Sequence, residues 1–518
     1  MTRFLYDNLG RLKQSDGPDG VPVKYEYWPV DDADELRAGL LRSTTRGEGL
    51  LALTTSFESY HFTGRPTRIV NANNEVTSYE FDLQGRMTRM VGSDNAVTLT
   101  EYAAGNKPSK VTLPSGVTIH SGHDAFGRLE DVTWRAPVAL GAAVLQRQHR
   151  TFDLGGNVLL EQTYDASGTL TRQVQRDYAE AHRVTREYGL TSSVWKSFEY
   201  HDGVLAQSTD EGGRVRAFEY DGYGRMRRTL RRVGGLPESP ITQYGYDVMD
   251  NLAEVIDANG NPTRYFFDDF GQTLEVTTPN SGTTRYGYAI DGALTFMKTE
   301  THARANSELR YTHDGLRRPT GEFHTVFGST PGGCVPGVPG SPPVCEPPTF
   351  FIVSDTALVT YGYDTGSHAK GRLSSVTFPG GARSLTWDDA GRLQSEQSTL
   401  SGLGTMLPLA RTYHPGGALA SLEYPRQTSA SRAPVLELDK GLDETLSEVR
   451  FGGVRLATGV THYPFGGGVR RFERGNGVAS TFGEDLLGRR TDVRGGPVSL
   501  SYDLKATGDV RLATESGD

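Results

Sequence analysis

The stretch EGGRVRAFEYDGYGRMRRTLRR, Glu211 to Arg232, decides how the rest of the chain is read. Val215, Ala217 and the run Phe218-Glu219-Tyr220 alternate like a strand, and after Asp221-Gly222-Tyr223-Gly224 the alternation resumes as Arg225-Met226-Arg227-Arg228-Thr229-Leu230. An Asp that opens a turn accepts hydrogen bonds from backbone N–H groups two residues on. A Gly that closes it supplies the positive φ that short hairpin loops commonly need. Tyr and Phe before the turn, and Met or Leu after it, suit a pleated, half-buried surface. Local chemistry alone predicts a β-hairpin.

The pattern recurs along the chain. Tyr6-Asp7-Asn8-Leu9-Gly10-Arg11-Leu12, Phe81-Asp82-Leu83-Gln84-Gly85-Arg86-Met87 and His123-Asp124-Ala125-Phe126-Gly127-Arg128-Leu129 repeat it. Phe267-Asp268-Asp269-Phe270-Gly271 and Trp387-Asp388-Asp389-Ala390-Gly391-Arg392-Leu393 follow, with looser copies at Tyr164-Asp165, Tyr246-Asp247, His313-Asp314, Tyr363-Asp364 and Tyr502-Asp503. The spacing, about 21 to 26 residues where copies are adjacent, is the signature of a repeat architecture.

The core Y-D-x-x-G-R-L, often led by a Gly-containing turn such as Asp210-Glu211-Gly212-Gly213 or Pro379-Gly380-Gly381, resembles the YD repeat of the RHS family. That family takes in bacterial RHS polymorphic toxins, the C component of Tc insecticidal toxins and the animal teneurins. The resemblance implies an all-β fold of YD-repeat hairpins in one long antiparallel sheet, coiled into a shell that in bacterial members encloses a toxic polypeptide. The repeat residues that carry it are Tyr6, Asp7, Gly10, Phe81, Asp82, Gly85, Tyr220, Asp221, Gly224, Phe267, Asp268, Gly271, Trp387, Asp388 and Gly391.

Composition agrees with many short strands and tight turns. Glycine is 63 of 518 residues, with 24 Tyr and 21 Phe against 4 Trp; average glycine usage is about 7%. Net charge is −9, which gives no reason to expect nucleic acid or an anionic membrane as partner. No apolar run approaches the roughly 18 residues of a membrane-spanning helix. The chain opens Met1-Thr2-Arg3-Phe4-Leu5 without a secretory leader and is inside a repeat by Tyr6. The expectation is a piece of a longer chain, secreted or displayed at a cell surface.

Residues 1–328 read as one repeat array and 349–518 as its more degenerate continuation. Between them, GSTPGGCVPGVPGSPPVCEPP from Gly328 to Pro348 is too rich in proline to sustain a ladder and reads as a loop or linker. It holds both cysteines of the chain, Cys334 and Cys345. They are read as a local disulfide, with free thiols as the alternative. The acidic cluster Asp31, Asp32, Asp34 and Glu35, beside Pro29 and ahead of Leu36, reads as a solvated loop or one short helix and lacks the spacing of a calcium loop.

Chemistry is sparse. Neither a G-x-S-x-G elbow nor a P-loop is present. His120 and His123 have metal-like spacing, but His123 fills the aromatic slot of a repeat. The basic run Arg225, Arg227, Arg228, Arg231 and Arg232 reads as a strand surface. The recurring aromatics read as stacking between neighbouring hairpins, with a sugar-binding platform as the alternative. The resemblance also implies a self-cleaving core domain with an Asp-Pro motif, yet no Asp-Pro dipeptide occurs. No catalytic residue, metal or cofactor is therefore expected. The function expected is a non-enzymatic shell segment that encloses or scaffolds a polypeptide effector, with flanking RHS segments as further partners. The alternative is a surface module that binds carbohydrate or a receptor. With some twenty hairpins, the strip is expected to form an open, C-shaped or partial shell with at least one exposed edge.

Overall fold

A computed structural model describes residues 2–517 except 18, 190–194, 233–238, 331–333, 336–343, 346–348, 406–407, 426–432 and 505–509. Strands make up 60% of the chain and helix 3%. Among the described residues the strands form a 43-stranded antiparallel sheet, in which nearly every strand pairs with its neighbours in sequence. Across the proline-rich stretch the ladder does not break: Pro319–Thr330 pairs directly with Thr349–Tyr363, from Gly321↔Thr360 to Thr330↔Thr349. A separate two-residue ladder, Cys334–Val335 with Val344–Cys345, stands off that junction and sets Cys334 opposite Cys345.

Because every strand is antiparallel to the next, the strip has two edges. One edge carries the turns that follow the aromatic-Asp pairs, here the YD edge. The other, the return edge, carries the turns between repeats. The YD turns share a register irregularity at the aromatic residue. Tyr220 pairs with Met226, whereas Glu219 pairs with Arg228, so Arg227 is extra. The same shift occurs at Phe81, Phe267, Tyr288 and Trp387. Return hairpins such as Val70–Val76 and Val91–Val97 close without it. A bulge bends its strand and increases local twist, and repeating it along one edge curves the strip.

That curvature brings the strip onto itself. Asn73 meets Lys370, Glu75 meets Arg372, Asp94 meets Arg392 and Asp165 meets Arg470, at separations of 297, 297, 298 and 305 residues. One revolution therefore takes about 300 residues, and 518 residues make more than one and a half. Of the open, C-shaped or partial shell expected, the strip is an open coil that overlaps itself, with a bulge at each YD turn adding to its bend. The first strand, Arg3–Tyr6, pairs with Leu12–Asp16, the last, Val510–Gly517, with Val498–Leu504, and the sheet does not close.

The wall is one layer thick. The protein exposes 30346 Å², whereas a compact monomer of 56.5 kDa would expose about 19,000 Å². Most strand residues are half-exposed on both faces, and the largest fully buried side chains among the described residues are small, namely Val21, Val117, Thr325, Ser307 and Ser480. Turns that meet across the overlap lie about 24 strands apart. At about 4.8 Å per strand a round coil is about 115 Å around and about 37 Å across, which leaves a bore of about 25 Å.

The acidic stretch at Asp31–Glu35 is a loop of turns, with Asp32 accepting the Asp34 amide and pairing with Arg37 at 2.9 Å. Arg37 in turn covers Trp28. The single α-helix among the described residues is elsewhere, at Glu300–Arg304, begun by a capping box of Thr299 and His302.

Candidate functional site: the repeat turn and the seam

Each YD turn is tied by its aspartate. In the Asp221 turn, Oδ1 accepts the amides of Tyr223 and Arg225 at 2.9 and 3.0 Å, while Oδ2 accepts Arg225 Nε at 2.8 Å. The Gly224 amide donates to the Asp221 carbonyl at 3.0 Å, and Gly224 sits at φ +79°. Asp7, Asp82, Asp124, Asp314, Asp388 and Asp485 make the same set of bonds. The Arg225 bond, foremost, holds the Asp221 carboxyl below the usual carboxylate range.

Arginine then reaches the next unit. The guanidinium of Arg225 lies 4.6 Å from the ring centre of Tyr246, whose hydroxyl donates to the Met226 carbonyl at 2.9 Å. Arg11 on Tyr27, Arg86 on Tyr102, Arg318 on Tyr363 and Arg392 on Tyr413 repeat both contacts, and Arg128 covers Phe152, which has no hydroxyl. In these units neighbouring hairpins are joined by carboxylate, guanidinium and ring, so the ring-on-ring stacking expected from the aromatic spacing is replaced by an arginine between them. Planarity and delocalised charge let one arginine serve both partners. The signal was in the sequence: an Arg four residues after the Asp in copy after copy. Of the basic run, Arg225 belongs to this lock, Arg228 lies 3.6 Å from Glu219, and Arg227, Arg231 and Arg232 are exposed on the strand.

The looser copies divide. Tyr246-Asp247 and His313-Asp314 form YD turns, whereas Asp165 makes the same Asx bonds on the return edge, as does Asp210 in the turn that leads the Tyr220 unit. Asp364 opens a longer turn, with its amide bonded to the Arg372 carbonyl. Tyr502-Asp503 lies inside a strand, followed by residues outside the described ones. His123 holds the ring slot, and His120 bonds Thr118 Oγ1 at 3.2 Å. Burial, chiefly, lowers the His120 pKa. No cluster of metal-ligating side chains occurs among the described residues.

Where the coil overlaps, YD turns of the second revolution sit on return turns of the first. Arg372 grips Glu75 through both nitrogens at 2.7 and 2.9 Å, and Asn73 exchanges two bonds with the Lys370 backbone. Glu75 is buried, which raises its pKa, but Arg372 and Asn71 outweigh this and the net shift is downward. Arg317 Nε donates to the Asp19 carbonyl, the Phe465 amide to Gln146, and the Gln173 amide to the Leu486 carbonyl. The apolar tips of these turns seat on glycine: Leu316, 4% exposed, presses on Gly47, and Leu487 on Gly189. Gaps in the seam include one of about 660 Å³, between the Asp94 turn and the turns at Arg392 and Gly416.

The profile of the RHS Repeat family matches residues 63–97, one hairpin and its flanks. No curated protein matches the chain. Among solved structures, the pore form of the Photorhabdus luminescens Tc holotoxin is similar over 99% of this chain and 29% of that one, at 12% identity and a TM-score of 0.48. TcdB2–TccC3 with Cdc42 (13% identity, TM-score 0.45) is similar over 99% of this chain and 30% of its own. TcdB2–TccC3 without its hypervariable C-terminal region (11% identity, TM-score 0.44) covers all of this chain with 30% of itself. The chain thus spans less than a third of the length of these structures.

Proposed function

We propose that the chain, whose residues 63–97 match the RHS Repeat family and whose hairpins repeat the YD pattern, is a length of shell wall, non-enzymatic, that coils around a polypeptide effector. The observation that carries the reading is the single-layer coil. Its exposed area is about half as large again as a compact protein of this mass would show. A ring of about 24 strands is also too wide for its own inward side chains to fill, since even sixteen to eighteen strands leave a channel. A bore of about 25 Å admits an extended or partly folded polypeptide and excludes large folded proteases. The locks between hairpins stiffen such a wall without a core. Secretion or surface display, and flanking RHS segments as partners, belong to the same proposal.

Protease protection tests it. A readily digested polypeptide fused to the carboxyl end should survive when the wall is native and be degraded once the wall is unfolded. Digestion at the rate of the free polypeptide in both states would refute enclosure. The disulfide between Cys334 and Cys345 is proposed alongside: directly opposed residues of an antiparallel ladder have Cα atoms at about 4.5–5.5 Å, within the range disulfides use. Thiol titration of the unfolded, unreduced chain should find none; two titratable thiols would show it absent.

The second reading, a carbohydrate-binding surface, draws on exposed aromatic tips at Phe126, Tyr223 and Phe270. The residues at the same place in the turns of Asp82, Asp153 and Asp247 are Gln84, Gly155 and Met249, which offer no ring for a sugar. The container reading therefore stands first.

A further inference from the structure

One strand of the wall is open along most of its length. Thr349–Tyr363, at 15 residues the longest of the described strands, pairs with Pro319–Thr330 on its near side down to Thr349. On its far side it meets Leu373–Phe378 only from Thr360 to Tyr363. From Thr349 to Val359 the far side faces no strand among the described residues. Both neighbouring strands belong to this chain, so the gap comes from the short length of Leu373–Phe378 and not from a chain end. The near strand is treated differently. Ser307–His313 lines it as far as Val326, and Asn306 then closes Phe327, accepting its amide at 2.9 Å and donating from Nδ2 to its carbonyl at 2.6 Å.

The open length also lacks the usual guards of an edge, lysine, proline or a covering element. Residues 349–360 contain no Lys, Arg or Pro, and the one acid, Asp355, accepts the Thr325 hydroxyl at 2.5 Å. Every residue from Phe350 to Ala357 is exposed, Phe350 by 63% and Val353 by 61%. The Phe351 ring lies over Gly328, while Phe350 and Ile352 occupy the opposite face. Bulges at Val353 and Leu358 bend the ladder without filling its open side.

Apolar side chains alone could take many partners, but a row of unpaired backbone N–H and C=O groups is completed by an extended chain. The intervening residues 331–348 carry seven prolines, and proline cannot donate to a ladder. A further revolution of the coil is no better suited. Revolutions meet here through turns, Arg372 on Glu75 and the Phe465 amide on Gln146, and no strand ladder joins them among the described residues. We propose that the open side of Thr349–Val359 is a docking edge for another polypeptide, which adds an extended, uncharged, mainly apolar segment as one more strand. Main-chain hydrogen bonds supply the affinity, and Phe350, Phe351 and Ile352 select apolar side chains on either face. The proposal asks nothing of the coil's contents, so its failure leaves enclosure untouched.

Fluorescence anisotropy with the whole chain tests it. The probe is a labelled peptide copying Phe323–Thr330, the sequence with which this strand already pairs. Two further peptides carry N-methyl groups on alternate residues, one set beginning at Phe323 and the other at His324. An added strand turns only alternate N–H groups toward its partner. One methylated peptide should therefore bind as the unmethylated one does, and the other at least about tenfold more weakly. Phe350→Lys with Ile352→Lys, both at exposed positions, should melt as the parent does and lose the peptide. Val454→Lys, at an exposed apolar residue elsewhere, should keep it. No binding by the parent overturns the proposal, and so do two methylated peptides that behave alike. Sedimentation of the parent alone should show a monomer. A dimer abolished by the two lysines would make a second copy the occupant and overturn the proposal as well.

Discussion

The Asp268 turn of the first revolution and the Asp314 turn of the second have one local structure and two environments. Asp268 Oδ1 accepts the amides of Phe270 and Gln272, both at 2.9 Å; Asp314 Oδ1 accepts those of Leu316 and Arg318 at 2.8 and 3.0 Å. Yet Phe270 stands in solvent and Leu316 is among the most buried apolar residues of the protein. The turn is made by its own backbone and carboxylate. Its burial is made by the turn at Gly47, which lies against Leu316, and by Leu51, which lies against Gly315 beside it, more than 260 residues earlier in the chain. Repeats of this kind are equal as hairpins and unequal as contacts.

The sharpest way to break that comparison is to place a charge at each tip. Leu316→Asp should destabilise by about 3 kcal/mol or more, because the new carboxylate is buried without a partner. Phe270→Asp should stay within about 0.5 kcal/mol. Urea unfolding midpoints measure both, and equal shifts would show that the seam contributes nothing. Next in size is Arg372→Ala. Glu75, with 7% of its side chain exposed, then keeps its burial and loses its bidentate cation. A loss of about 2–3 kcal/mol is expected, at or below the lower end of the range for breaking a fully buried pair. Arg86→Ala, whose outer contact is the exposed Asn106, should be much milder; parity between the two would mean that the lock, not the seam, holds the coil.

Glycine sharpens the comparison further. Gly224 has φ +79° and open space around a Cβ, so Gly224→Ala should cost only the backbone strain, about 1 kcal/mol. Gly391 has φ +77°, and a Cβ there runs into the Arg372 guanidinium of the seam. Gly391→Ala should therefore lower the melting temperature more than Gly224→Ala does. The gentlest test is pH. Glu75 and Asp165 on the seam are held below their ordinary values against the pull of burial, by Arg372 and Asn71 in one case and by Ser167 and Arg470 in the other. A carboxylate depressed in the folded state contributes stability that is complete above its unfolded pKa and is lost as pH falls through its folded one. The melting temperature should hold steady from neutrality to about pH 5 and fall below it. In the Arg372→Ala variant that acid slope should be shallower, since Glu75 no longer gains by being charged there.

Hairpin and turn are legible because each is decided within about seven residues, and the period because copies of that short motif recur about every 21 to 26 residues. Tyr220, Asp221 and Gly224 announce their turn whatever surrounds them. The role of Arg225 was legible in principle and missed, because it appears only when the i, i+4 arginines of several copies are compared. Tyr164-Asp165 looks in sequence like the other YD turns, although Asp165 lies on the opposite edge. Edge identity depends on counting strands, and single-residue patterns do not count. The seam left almost no trace in the sequence. Leu316 and Phe270 have the same place in their motifs, and nothing nearby tells them apart.

The sequence by itself determined the all-β repeat, the chemistry of its turns and the direction in which the strip grows, since short-range hydrogen bonding and backbone sterics set all three. Only the tertiary structure decided that the strip overlaps itself and which tips are buried in the overlap. Those outcomes depend on a small bend added at each hairpin and summed over about 300 residues. A slight change in that bend would move every contact of the seam while leaving each hairpin as it is.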